Sequence, residues 1–123
     1  MSDKNSIMQI EINIFKLLNS PFAVSTEEGE LLFSKIEDAF SKEYQVTLDF
    51  DNIEIIVSTF LNASIGQLYG KFTTEYIQNN LSLKNMSDDD LDILKLVTDR
   101  AKEYFQDKNR FDNISNSFFA NEK

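Results

Sequence analysis

Two short runs of alternating residues limit the folds open to this chain more than any other feature. Met8, Ile10, Ile12 and Ile14 alternate with Gln9, Glu11 and Asn13, and Val46, Leu48 and Phe50 alternate with Gln45, Thr47 and Asp49. A period of two marks a strand with one buried face. Between the runs the spacing becomes helical. Ser25-Thr26-Glu27-Glu28 places a capping hydroxyl three residues before a Glu, and Leu32, Ile36 and Phe40 then recur every fourth residue. Glu30, Lys35, Glu37 and Lys42 fall on the wet side of that helix.

The same sequence of signals repeats. Asp51-Asn52 breaks the second strand, Ile53 to Val57 form a short apolar bridge, and from Ser58 a stripe of Leu61, Ile65, Leu68 and Phe72 predicts a second helix. Gly66 and Gly70 on that helix are expected at points of close packing or fraying. Leu81 and Leu83 suggest a brief third strand. Ser87-Asp88-Asp89-Asp90 then puts a cap and three acids at the positive end of a third helix, whose buried side is Leu91, Leu94, Val97, Ala101, Tyr104 and Phe105. Strands joined by helices imply a largely parallel sheet with right-handed crossovers. The expected fold is α/β, a small βαβαβα sandwich. Because the first strand is amphipathic, the helices should gather mainly on one face.

A chain of 123 residues builds one core, and residues 1–107 are expected to form it. From 108 to 123 the sequence turns polar and Asn-rich. That tail is expected to be partly mobile, or a short helix docked through Phe111, Ile114, Phe118 and Phe119.

Absent residue types exclude much chemistry. There is no Cys and no His, so thiol nucleophiles, disulfides, imidazole bases and the usual zinc, copper and haem ligands are missing. Only carboxylates remain to hold a metal, and these would select Mg²⁺ or Ca²⁺; no metal site and no cofactor is expected. No window has the apolar length of a membrane span and the first residues do not read as a signal peptide, so a cytoplasmic location is the default. A net charge of −9 repels a phosphate backbone, which argues against direct nucleic-acid binding and favours basic partners.

Two clusters invite a chemical reading. Asp49-Phe50-Asp51 at the end of a strand is similar to the Asp-x-Asp of haloacid-dehalogenase-type phosphotransferases, in which one carboxylate attacks phosphorus and the other shuttles a proton. A lone Asp-x-Asp is a weak signal, and a polar strand end followed by a turn explains it. A receiver-type phospho-acceptor would need an acidic pair at the end of the first strand, where Ile14-Phe15-Lys16-Leu17-Leu18 offers none. Ser58-Thr59 stands at the mouth of a helix. Hydroxyls there usually cap, but a phosphate at the same place would meet unpaired backbone donors and add nearly two negative charges to the surface.

The segment Thr26 to Phe72, with its Glu-Glu-Gly helix start, strand ending Asp49-Phe50, Ile-rich bridge and hydroxyl step before Phe60, resembles the small bacterial STAS-like domains of unknown function. These look like relatives of the anti-sigma-factor antagonists, and residues 7–106 follow the pattern. The resemblance implies a STAS-like fold and a binding module without catalysis. It would dock the helix after the second long strand on a histidine-kinase-like ATPase that phosphorylates a Ser or Thr at that helix start. In the antagonists' Asp-Ser-Ser/Thr-Gly step, Ser58 and Thr59 match the hydroxyls, whereas Val57 and Phe60 depart from the acid and the glycine.

The expectation is a non-enzymatic regulatory module, monomeric or weakly dimeric, with no catalytic residue. Its partner-binding residues would be Asp51, Asn52, Ile55, Val57, Ser58, Thr59 and Phe60. Ser58 and Thr59 are the candidate switches and Phe60 a candidate anchor that competes with a core role. The alternatives are an acidic inhibitor that occupies another protein's nucleic-acid groove, and a Mg²⁺-dependent phosphotransferase at Asp49 and Asp51.

Overall fold

The computed structural model describes the backbone of residues 8–121 and the side chains of residues 8–106. Strand β1 (Gln9–Asn13) is followed by a short helix α1 (Ile14–Leu18), strand β2 (Phe22–Ala23), helix α2 (Thr26–Ser41) and strand β3 (Gln45–Asp49). Strand β4 (Ile55–Ile56), helix α3 (Ser58–Leu61) with a π-helical continuation (Asn62–Gly66), helix α4 (Thr74–Asn80), strand β5 (Leu81–Lys84) and helix α5 (Asp88–Asn121) complete the order.

The main sheet is parallel throughout, with β3 between β1 and β5. Its register aligns Ile10 with Val46 and Leu81, and Ile12 with Leu48 and Leu83. Alternation therefore puts six apolar side chains on one face, where α2, α3 and α5 close over them around buried Leu32, Ile36, Phe60, Leu61 and Ile65. On the other face Gln9, Glu11, Ser82 and Lys84 are exposed, and Glu11 pairs with Lys84 at 3.2 Å. The α/β architecture with a parallel sheet and helices on one face agrees with the pattern of the sequence.

The structure departs from the sequence reading in its short elements. The first strand stops at Asn13, one residue before Ile14, because the Asn13 side chain accepts from the Lys16 N–H and starts α1, which ends at a left-handed Asn19. The bridge Ile53 to Val57 contains a true strand, β4, which pairs in parallel with the unanticipated β2 to form a separate two-stranded sheet. The second helix ends at Leu68, well before Phe72. Thr73 then caps the further helix α4, and Phe72 packs with Phe40 and Tyr76 at ring separations of 5.1 and 5.6 Å. In place of a separate tail element, α5 is one continuous helix across the expected boundary at residue 107. The proposed docking of Phe111, Ile114, Phe118 and Phe119 lies outside the described side chains.

Candidate functional site

Two strand ends carry the chemistry singled out in the sequence, and they are built differently. At the end of β3, Asp49 is only 8% exposed. Its Oδ1 accepts from the Asn85 side chain at 2.8 Å and from the Asp51 N–H at 3.0 Å, and Oδ2 faces the Asn13 amide at 3.5 Å. The carboxylate thus joins the ends of all three strands of the sheet. Donation by Asn85, then by the Asp51 backbone, with Lys84 nearby, outweighs desolvation and holds its carboxyl below the ordinary value of 3.8. Asp51 and Asn52 are exposed on the turn that follows, with Asn52 left-handed and the Ile53 N–H closing on the Phe50 carbonyl at 3.1 Å. Among the described residues no three His, Cys, Asp or Glu side chains converge as metal ligands would.

The end of β4 is open. Phe22 and Ile55 are register partners on one face of the small sheet, 44% and 50% exposed, whereas Ala23 and Ile56 point inward. Alternation adds Val24, 42% exposed, and half-buried Val57 to the outer side. Three apolar side chains, Phe22, Val24 and Ile55, therefore face solvent, while Val57 is half-buried against the core. Of the four the sequence reading found Ile55 and Val57. It missed Phe22 and Val24, whose signal is the short apolar run Phe22-Ala23-Val24 after Pro21.

Ser58 and Thr59 come next, both exposed, as the first two residues of α3. Neither caps the helix. The N-cap is Val57, which has no side chain to accept a bond, although Asn13, Ser25, Thr73 and Ser87 each accept at the starts of α1, α2, α4 and α5. The Val57 N–H is taken by the Ala23 carbonyl at 3.2 Å and the Leu61 N–H by Val57 at 3.2 Å. Among the described residues no side chain accepts from the N–H groups of Ser58, Thr59 and Phe60 in between, and these groups carry the positive end of the helix dipole.

Phe60 requires a correction. It is 0% exposed, the largest fully buried side chain, so it belongs to the core and cannot anchor a partner. Its burial follows from how α3 meets α2. A Cβ on Gly29 would come within 2.7 Å of both the Ala63 Cβ and the Phe60 carbonyl, so only glycine permits this approach. Buried Ser64 satisfies the carbonyls loosened by the π turn, donating to Phe60 at 2.8 Å and lying 3.3 Å from Leu61. Gly70, in the turn just past the helix end, is a close contact, since a Cβ there would lie 2.6 Å from the Phe105 ring; a Cβ on Gly66 would meet the Asn62 side-chain oxygen at 3.0 Å.

The α3 start also forms the wall of two grooves. One, about 610 Å³, runs between α2 and α3 past Thr26, Glu30, Phe33, Thr59 and Gln67. The other, about 500 Å³, runs between α3 and α5 past Ser58, Thr59, Asn62, Arg100 and Tyr104. Arg100 is the cation beside the two hydroxyls. Sequence reasoning could not find it, because only tertiary packing brings α5 alongside α3.

Comparison with family profiles matches residues 28–91, just over half of the chain, to the STAS-like domain of unknown function. The match runs from the α2 start through both strand ends to the first turn of α5. No curated protein and no solved structure matches the chain. The shared segment and the parallel α/β architecture agree, and the chain belongs to the family of STAS-like domains of unknown function.

Proposed function

We propose that this chain is a regulatory protein-interaction module that works through the outer face of the small sheet and the adjoining start of α3. The observation that carries this reading is the pairing of exposed Phe22 and Ile55 beside uncapped Ser58 and Thr59. Apolar area supplies the driving force for docking. A hydroxyl beside it supplies a means of control. Phosphate on Ser58 or Thr59 would bring nearly two negative charges to the edge of the apolar face, within reach of unpaired N–H groups and of the groove that holds Arg100. A histidine-kinase-like ATPase, the partner implied by the resemblance, would transfer the γ-phosphoryl group of ATP to the hydroxyl oxygen, breaking its bond to the β-phosphate oxygen and releasing ADP and the hydroxyl proton.

The test is to mix the purified chain with each histidine-kinase-like ATPase encoded in the same genome, with ATP and Mg²⁺. Co-elution, with one phosphate lost in either Ser58→Ala or Thr59→Ala, supports the reading. No complex and no phosphate with any of them overturns the kinase assignment.

The net charge of −9 favours a second reading, an acidic inhibitor that occupies a nucleic-acid groove. Competition with DNA or RNA for the partner, weakening steeply with salt, would distinguish it. Phosphotransfer at Asp49 has less support, since an attacking carboxylate needs an accessible oxygen and those of Asp49 face Asn85, Asp51 and Asn13.

A further inference from the structure

The segments that carry the small sheet, residues 20–31 and 51–62, contain Glu27, Glu28, Glu30, Asp51 and Glu54 but no Lys or Arg. An exposed cation, Lys16, lies on α1, which packs against β2. Glu54 directly precedes exposed Ile55, and Glu27 follows Val24 by three residues; both carboxylates are exposed. Arg100 lines the groove between α3 and α5 together with Ser58 and Thr59. Exposed apolar side chains set in acid-rich segments pair poorly with their own copy, because the acids repel across the contact. Phosphate-bearing surfaces are disfavoured for the same reason, whether nucleic acid or anionic lipid.

We infer that the face of Phe22, Val24 and Ile55 receives a basic amphipathic protein segment, with apolar side chains against these three and Lys or Arg against Glu27 and Glu54. This rests on the interaction-module reading and names the chemistry of its partner. Each strand of the small sheet is two residues long, so the face accommodates one or two anchoring side chains of a short segment. The surrounding acids then set orientation and encounter rate.

Two experiments on the full chain test it. The first measures fluorescence anisotropy with two labelled synthetic peptides that share one Leu pattern, their polar positions all Lys in one and all Glu in the other. The Lys peptide should bind and the Glu peptide should not. Phe22→Ser and Ile55→Ser should each weaken binding roughly tenfold, about 1.4 kcal/mol. Glu27→Lys with Glu54→Lys should weaken it further and flatten its salt dependence. No binding of the Lys peptide, or binding indifferent to Phe22→Ser and Ile55→Ser, overturns the inference, because attraction would then follow net charge alone. The second experiment places a photo-crosslinking amino acid at position 55 in the native cell and sequences the captured segment. A basic amphipathic segment supports the inference. An acidic or uncharged segment overturns it while leaving the interaction module intact, and absence of any crosslinked protein overturns both.

Discussion

The ends of β3 and β4 lie within ten residues of each other in the chain and resolve the same problem in opposite ways. Each delivers the backbone from a parallel strand into a polar step, the Asp51-Asn52 turn after β3 and the Ser58-Thr59 helix start after β4. At β3 the polar groups meet one another: Asp49 is enclosed by Asn85, Asn13 and the Asp51 N–H. At β4 they do not, because the N-cap is Val57, Ser58 and Thr59 are exposed, and apolar Phe22 and Ile55 are exposed on the strands that lead into them. A closed polar knot holds strands together and leaves little to offer a ligand. An open end with uncovered apolar area gives up local stability and gains a surface for binding. Asp49, attractive as chemistry in the sequence, thus ties strand ends together, and in the function proposed above the Ile-rich bridge supplies the docking face.

The largest effect that can break this contrast concerns Phe60. Phe60→Ala removes a fully buried ring and should cost about 3–5 kcal/mol in urea unfolding. A loss below about 1 kcal/mol would mean that Phe60 is a surface residue, and the open end would then be built differently from the description above. Next comes Gly29→Ala, about 2–3 kcal/mol by overpacking, since the new Cβ meets Ala63 and the Phe60 carbonyl at 2.7 Å. The Phe60 carbonyl is backbone and cannot swing aside. Chemical shifts of Ser58 and Thr59 should move in the same variant, because this crossing sets where α3 begins.

Asp49 tests the closed end. Asp49→Ala leaves the Asn85 amide and the Asp51 N–H without their acceptor and should cost about 1–3 kcal/mol. Its carboxyl is held below 3.8 in the folded chain, so its contribution is complete above that value. As the pH falls below 3.8 and through the lower folded value, the contribution is lost. Unfolding free energy followed from pH 7 into this acid range should drop less steeply in Asp49→Asn than in the parent. Equal slopes would show that Asp49 is not the carboxylate that ties the strand ends.

How much of this could be read beforehand follows element length. The helices starting at Ser25 and Ser87 were legible because cap, acids and a four-residue apolar repeat agree over several turns. Strands β1, β3 and β5 were legible from alternation. Elements α1, β2, β4 and α4 were not, since two to seven residues give too few periods to separate strand from helix, and parallel partners such as Phe22 and Ile55 stand far apart in sequence. The site divided in the same way. Exposure of Ile55, Ser58 and Thr59 followed from local pattern, but Phe60 could not be assigned a side without knowing that Gly29 lets α2 approach so closely. Phe22, Val24 and Arg100 lie outside residues 28–91, so the family match leaves out part of the face that would choose a partner.

The smallest effect sharpens the contrast most. Phe22→Ser and Ile55→Ser change side chains about half exposed on a two-residue sheet, and each should alter stability by no more than about 0.5 kcal/mol. The two residues are neighbours, so the double variant measures their coupling, which for an exposed cross-strand pair is on the order of 0.2–1 kcal/mol. If the double variant instead loses several kcal/mol, the outer face belongs to the core and its exposure has no bearing on binding. If stability holds while affinity for the basic peptide falls, the apolar face is retained for a partner and not for the fold. The reverse holds at the other strand end: Asp49→Asn should lower stability and leave peptide affinity unchanged.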